Sequence, residues 1–256
     1  MNGIAGKCGD RVGFPRYLEI LLASLGLILV FPVLAMAAIL IKGSSPGPIF
    51  FRQLRVGQYG REFLMLKFRT MWVNQASVQF TANDDQRITP VGRWLRLFKI
   101  DELPELINVL KGDLSLVGPR PEVPTYVKKD DDLWKEVLKA KPGITDPVTL
   151  RLRNETNLLA SVLGNRVEFY TDVLLPYKLH GYIDFLRHRT LRTDFVVLFR
   201  SAFAALWPLA SRPPGIEEIQ RLSDRKTARA ACEGLNQAQR THGEAEFNAG
   251  AKRGEP

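Results

Sequence analysis

Between Leu18 and Ile41 the chain reads LEILLASLGLILVFPVLAMAAILI, a run whose single charge is Glu19 near its start. As a helix, such a run is long enough to reach across a bilayer. A secretory signal is one rival reading, but the run exceeds a signal core and no small-residue cleavage site closes it before Lys42. A plain crossing meets two objections. Lys7, Arg11 and Arg16 precede the run while Lys42, Arg52 and Arg55 follow it, so the positive-inside rule puts both ends on the cytoplasmic face. Pro32, past the middle, removes one backbone hydrogen bond and crowds the preceding turn, which kinks or breaks a helix. A helix that enters, bends at Pro32 and returns to the same face satisfies both, with arms of about 15 to 20 Å. An ordinary kinked span with its N-terminus outside is the competing reading, since proline does occur in spanning helices.

The remainder is ordinary globular sequence. Of 256 residues, 45% are hydrophobic and 25% charged, which argues against wholesale disorder and against a multi-span transporter. Cys8 and Cys232 lie in opposite flanks, too far apart in sequence to suggest a disulfide framework or a thiolate metal site. The net charge is +9, and the eight Lys or Arg from Ser211 onward nearly cancel against seven Asp or Glu. The basic character therefore belongs to residues 1–210. A basic body attracts nucleotide phosphates, anionic lipid and nucleic acid alike, so the choice among them falls to motifs.

Residues Gly47 to Met71 carry two β-rich runs around Gly57-Gln58-Tyr59-Gly60, a hairpin signal. Asn74 to Asp85 reads as a polar loop and Val91 to Lys99 as a basic helix. Asp101 to Leu110, DELPELINVL, has apolar residues at helical spacing, Asp101 placed to cap it, Pro104 in its first turn and Gly112 as its stop. GDLSLVGPRPEVP is too rich in glycine and proline to be regular, and KPGITDP reads as a turn. Asp130 to Ala140, Leu158 to Leu163 and Tyr170 to Ala205 read as helices. The last mixes cations and aromatics in a way that suits either a membrane interface or a core helix. The chain thus divides into a basic flank (1–16), a membrane helix (17–42), a folded body (43–210) and a polar, disordered tail (211–256).

Asp101-Glu102 at a helix start would sit where unpaired amides and the helix dipole favour phosphate and ionised carboxylates. One carboxylate of such a pair can attack phosphorus while the other holds a divalent cation. Plain capping is the commoner use of that pattern. Cations around it favour chemistry: Lys67 and Arg69 alternate with Phe68, Arg96 lies just upstream with Arg93 and Lys99, and Arg120 is stiffened between Pro119 and Pro121. Three other signals point to ordinary roles. Asp130-Asp131-Asp132 suits a solvated helix start, His180 and His188 lack a third ligand in spacing, and Asn154-Glu155-Thr156 is a sequon without use on a cytoplasmic face.

The strings SSPGPIFFRQLRVGQYGREFLMLKFRTM, DELPELINVLKGDLSLVGPRPEVP and KPGIT resemble the bacterial sugar transferase family of monotopic phosphoglycosyl transferases, over about Arg16 to Trp207. With no multi-span region before the match, the chain resembles the small, single-domain branch. The resemblance implies an α+β, mostly helical fold: a re-entrant membrane helix broken at Pro32, a β-hairpin, and a cytoplasmic catalytic domain with interfacial amphipathic helices. It implies transfer of a sugar phosphate from a UDP-sugar to a polyprenyl phosphate at the cytoplasmic face of a bacterial inner membrane, with UMP released, as a first membrane step of glycoconjugate assembly. Asp101 matches the nucleophile that becomes covalently phosphosugar-bound, and Glu102 matches a Mg²⁺ ligand. Lys67, Arg96 and Arg120 match phosphate- or nucleotide-handling positions, and Arg69, expected on the same strand face as Lys67, joins them as a substrate- or phosphate-binding candidate. Membrane lipids are implied partners, and a homodimer stays open. The chain departs from the family pattern at Phe31, where a serine often precedes the proline, and at Asp146-Pro147-Val148-Thr149, where a Gly and a Gln-Val-rich string often follow KPGIT. Two rivals stand beside this reading. A non-enzymatic membrane-anchored basic scaffold accounts for the run and the charge, while a nucleic-acid binder accounts for the charge alone and lacks any zinc-finger, basic-zipper or RNA-recognition signature.

Overall fold

A computed structural model describes residues 13–73, 85–153, 155–162, 165–206, 219 and 221. Lys7, Cys8, Arg11, positions 74–84 of the expected loop, Asn154, Leu163, Trp207 and all of the expected tail but Ile219 and Arg221 lie outside these residues.

The apolar run folds as one helix, α1 (Arg16–Ser44), which continues through Pro32. At 1.5 Å per residue a straight helix of that length would measure about 43 Å. Its two halves are held by the same body. The first half packs Ala23 against Val109, Leu114, Leu116 and Val117, Arg16 donates to the Leu110 carbonyl at 3.0 Å, and the buried Glu19 accepts from the Ser115 hydroxyl. The second half packs Ala37 and Ile41 against Phe68 and Leu95. Between them the helix is bare: Ile28, Leu29 and Phe31 are 72%, 80% and 66% exposed. Only four of its residues, Glu19, Ala23, Ala37 and Ile41, are buried. An apolar helix with so little protein cover needs another apolar medium.

The expected hairpin forms. Strand β1 (Phe50–Val56) pairs antiparallel with β2 (Glu62–Phe68), and Phe51 lies opposite Lys67. Gly60 in the connecting turn has φ +74, a conformation natural to glycine. Helix α2 (Pro90–Leu97) agrees closely with the basic helix expected over Val91–Lys99; Thr89 caps it by accepting from the Gly92 amide, and Pro90 opens it.

The next helix starts later than expected. Asp101 is not its cap: residues Ile100–Glu102 form a short 3₁₀ turn, and α3 runs from Glu105 to Lys111. Pro104 lacks the amide needed to join the two, so the helical pattern read from Leu103, Leu106 and Leu110 extends only over the part after it. Gly112 ends α3 at φ +94, as its position predicts.

A second sheet corrects the reading of two segments as irregular. Strand β3 (Ser115–Val117) lies within GDLSLVGPRP and pairs in parallel with β4 (Gly143–Thr145) within KPGIT. Each strand has three residues, shorter than any alternation pattern can register. Burial on both faces, which parallel pairing favours, removes the polar half of the signal as well. Between them lies α4 (Asp132–Val137), capped by Asp131, which accepts from the Leu133 and Trp134 amides. The aspartate triplet is therefore a helix start.

After β4 come α5 (Pro147–Arg151), α6 (Glu155–Ala160) and α7 (Arg166–Phe169). The family departure at Asp146 has a local use here. Its buried carboxylate accepts from the Val148 and Thr149 amides and from the Thr149 hydroxyl, capping α5. The long helix expected from Tyr170 divides into a π-helical turn (Tyr170–Leu174), α8 (Leu175–His188) and α9 (Leu191–Leu206). These two helices separate the alternatives left open for that stretch. In α8, Tyr177, Lys178, Leu179 and Tyr182 are buried, so it is a core helix, whereas α9 leaves Phe195, Phe199 and Phe203 exposed. Ile219, in the segment expected as a tail, is fully buried in the largest apolar cluster, with Trp134, Tyr170 and Leu174.

Candidate active site

Four pieces of chain converge on the acidic pair. The first is the end of β2. Asn108 of α3 accepts from the Leu66 amide at 2.9 Å and donates to the Leu64 carbonyl at 2.8 Å, which docks the strand on α3 and carries Lys67 to the carboxylates. The second is the link from α2 to the 3₁₀ turn. Here Lys99 adopts φ 56, ψ 23, a left-handed conformation that costs a side-chain-bearing residue about 1 kcal/mol and reverses the chain immediately before Asp101. The third is the Gly-Pro-Arg-Pro loop after β3. Its Arg120 donates to the Ile144 carbonyl of β4 at 3.0 Å, a contact that the parallel sheet makes available. The fourth is the segment after α5, which brings Arg153 near Glu102.

The acidic residues differ in their surroundings. Glu102 accepts through one carboxylate oxygen from Lys67 Nζ, at 2.9 Å, and from Arg120 Nη2. Burial alone would push its carboxyl up, but the charges of Arg120, Lys67 and Lys99 outweigh burial and hold it well below the usual carboxylate range. Asp101 is buried more deeply than the part-buried Glu102, and its Oδ1 has no hydrogen-bond partner. Burial, reinforced by the neighbouring Glu102 charge, raises its carboxyl above the ordinary value against the pull of Lys67, Lys99 and Arg96. An ionised oxygen without a donor is destabilised where it stands and correspondingly reactive toward an electrophile that enters beside it.

Lys67, Arg96 and Arg120 lie close to Asp101-Glu102. Arg69 does not. The strand ends at Phe68, and the next side chain points to the end of α1, where it donates to the Ser45 and Pro46 carbonyls at 2.8 and 2.9 Å. Two residues escaped sequence reading. Glu105 is wholly buried, 3.3 Å from Lys67 Nζ and 3.8 Å from Arg120 Nη2, and burial raises its carboxyl despite those cations. Its place in Asp101-Glu102-Leu103-Pro104-Glu105, three positions after Glu102, was the available signal. Arg153 has a buried Nη2 without a hydrogen-bond partner. Nothing in its local sequence separates it from a surface arginine.

The cluster sets cations around a carboxylate, a donor set whose chemistry suits phosphate. Lysine and arginine charges surround the Asp101 carboxylate, whose Oδ1 has no hydrogen-bond partner among the described residues, and guanidinium groups match phosphate geometry. Among the described residues no group of three or more His, Cys, Asp or Glu could hold a metal ion. That does not disfavour Mg²⁺, which proteins commonly bind through one or two carboxylates with substrate phosphates and water completing the shell. The orphaned Asp101 Oδ1 and the adjacent Glu102 fit such a substrate-borne cation.

Residues 11–208 match the bacterial sugar transferase family. The chain belongs to that family. It is similar to UDP-N-acetylgalactosamine-undecaprenyl-phosphate N-acetylgalactosaminephosphotransferase of Aeromonas hydrophila, 48% identical over 51% of this chain and 32% of that protein. It is also similar to UDP-glucose:undecaprenyl-phosphate glucose-1-phosphate transferases. In that of Escherichia coli K12 the identity is 37% over 72% of this chain and 38% of the relative. In that of Caulobacter vibrioides it is 37% over 73% of this chain and 67% of the relative. The chain thus spans about a third of the Aeromonas and Escherichia relatives, while the family match runs from α1 through α9.

Proposed function

We propose that this bacterial sugar transferase moves a sugar phosphate from a UDP-sugar to a membrane polyprenyl phosphate, giving polyprenyl-diphosphate-sugar and UMP. The observation that carries the reading is the buried, unpartnered Asp101 oxygen inside the cation cluster; the relatives named for undecaprenyl-phosphate transfer support it. Asp101 attacks the sugar-bearing phosphorus, the bond from that phosphorus to the bridging oxygen breaks, and UMP leaves with the electron pair. An oxygen of the polyprenyl phosphate then attacks the aspartyl-bound phosphorus and returns Asp101 to its carboxylate. Lys67, Arg96 and Arg120 bind and orient the diphosphate, and Arg153 offers a further buried N–H. Mg²⁺, when bound, would neutralise phosphate oxygens, with Glu102 as the residue to hold it.

Detergent-purified protein given polyprenyl phosphate, Mg²⁺ and a panel of UDP-sugars should release UMP. Glu102→Gln should slow release by about a hundredfold or more and weaken its dependence on Mg²⁺. An unchanged Mg²⁺ titration in that variant would remove Glu102 as the metal ligand, and no UMP from any UDP-sugar would remove the reaction and favour a membrane scaffold.

We further propose that α1 is re-entrant and that the catalytic body lies on the cytoplasmic face. Attachment of both halves of α1 to one body supports this, because a helix crossing at right angles would carry one of those halves away from it. The bare middle around Phe31 and Pro32 would then lie deepest, and the exposed Trp94 and Leu97 of α2 and Phe199 and Phe203 of α9 would sit at the interface. Cysteines replacing Val12 and Ser44 should both react with an impermeant thiol reagent only from the cytoplasmic side, scored in a Cys8→Ser, Cys232→Ser background. Periplasmic labelling at position 12 would establish a spanning helix and leave the chemistry of Asp101 untouched.

A further inference from the structure

Arg69 and Thr70 are adjacent residues that bind two different parts of the protein. The Arg69 guanidinium is buried at the C-terminal end of α1, where the helix dipole favours a cation. Its Nη2 donates to the carbonyl and the hydroxyl of Ser45, each at 2.8 Å, and its Nη1 to the Pro46 carbonyl at 2.9 Å. Nη2 also lies 3.5 Å from the Ile41 carbonyl in the last turn of α1. Gly47 completes the enclosure at φ +120, since a Cβ there would overlap the guanidinium.

Thr70 binds α2. Its carbonyl accepts from the Thr89 amide at 3.0 Å, next to the capped start of that helix, and a Cβ on Gly92 would overlap the Thr70 backbone. One turn further on, Arg96 donates its Nε to the Thr70 hydroxyl at 2.9 Å. That bond fixes the plane of the Arg96 guanidinium. Among the described residues it is the one hydrogen bond the Arg96 side chain makes, so its two Nη groups stay available to a ligand.

We propose that Arg69-Thr70 is a positioning unit that couples the seating of the membrane helix to the aim of Arg96. Arg69 reads the end of α1 through four oxygens. Thr70 converts that fixed backbone position into the orientation of one phosphate-binding fork. The site is then fully ordered for nucleotide only when α1 is in place, which ties nucleotide affinity to insertion of the helix. This rests on the phosphosugar-transfer reading and assigns residues that do not themselves touch substrate.

The test is UMP binding by calorimetry to the full chain in nanodiscs, arranged as double-mutant cycles. Thr70→Val keeps the side-chain shape and removes the acceptor, so UMP should bind about tenfold more weakly, and Thr70→Ser should restore binding to within about threefold. In an Arg96→Ala background, Thr70→Val should change UMP binding less than twofold or so, because the group through which it acts is gone. Arg69→Lys, which keeps the charge but loses the multiple contacts, should behave in the same non-additive way. Equal losses with and without Arg96 would overturn the coupling, as would undiminished binding by Thr70→Val. A failure of the unmodified protein to bind UMP would overturn the transfer reading together with this inference.

Discussion

The Asp101→Asn protein folds as the unmodified chain does and releases UMP more slowly by at least about a thousandfold. The substitution preserves the size of the side chain and takes away the charge that makes it a nucleophile. Its structural cost is small for a reason visible at the site: Asp101 Oδ1 has no donor to lose, and both burial and the Glu102 charge already disfavour the ionised form. Thermal unfolding should therefore shift upward or remain in place, the usual exchange when a strained functional charge is neutralised. UMP release and a thermal scan on the same preparation check both halves. Near-normal turnover would sink the assignment of Asp101, and a collapse of stability would mean that its carboxylate is structural.

Arg120→Met has the largest expected effect on stability. Arg120 pairs with Glu102, lies 3.8 Å from the fully buried Glu105 and donates to the Ile144 carbonyl. Removing it leaves the part-buried Glu102 and the fully buried Glu105 with Lys67 as their remaining salt-bridge partner, a loss on the order of 3 kcal/mol. The pH dependence has a definite sign. In the unmodified protein the Glu102 carboxyl is held low, so its stabilisation is present above the ordinary carboxylate pKa and disappears as pH falls through the lower folded value. Without Arg120, burial is less opposed and the folded pKa of Glu102 rises, as does that of Glu105, already raised by burial. Acid then relieves the variant by protonating these groups. The drop in urea midpoint should be larger at about pH 7.5 than at about pH 5.5, and an equal drop at both would show that Arg120 acts by packing rather than by charge.

The parts of this fold that could be read from sequence are those whose signals are long or chemically specific. The long apolar run gives α1, the Gly57–Gly60 turn gives the hairpin, and Gly112 ends α3 where glycine should. The parts that could not be read depend on distant partners. Strands β3 and β4 are three residues each and have meaning only as a pair. The 3₁₀ turn at Asp101 depends on Lys99 in a left-handed conformation, which no propensity assigns to lysine. The same division runs through the site. Asp101, Glu102, Lys67, Arg96 and Arg120 stood out through their neighbours in sequence. Arg69 misled because alternation along a strand predicts a shared face only while the strand lasts, and β2 ends at Phe68. Glu105 takes its importance from burial beside Lys67 of β2 and Arg120 of the loop after β3, and Arg153 from an unmet N–H, neither of which a sequence displays.

The central claim is that Asp101 carries the sugar phosphate between two substrates, and peptide mass mapping of protein exposed to the donor tests it most directly. Full-length protein would be incubated with Mg²⁺ and UDP-N-acetylgalactosamine or UDP-glucose, without polyprenyl phosphate, then quenched and digested. The prediction is a mass increase equal to one sugar phosphate on the peptide containing Asp101, with UMP released in matching amount and no adduct on Asp101→Asn. A protein that stays unmodified under these conditions, yet makes polyprenyl-diphosphate-sugar and UMP once the lipid is added, would contradict the covalent account and point to direct transfer in a ternary complex.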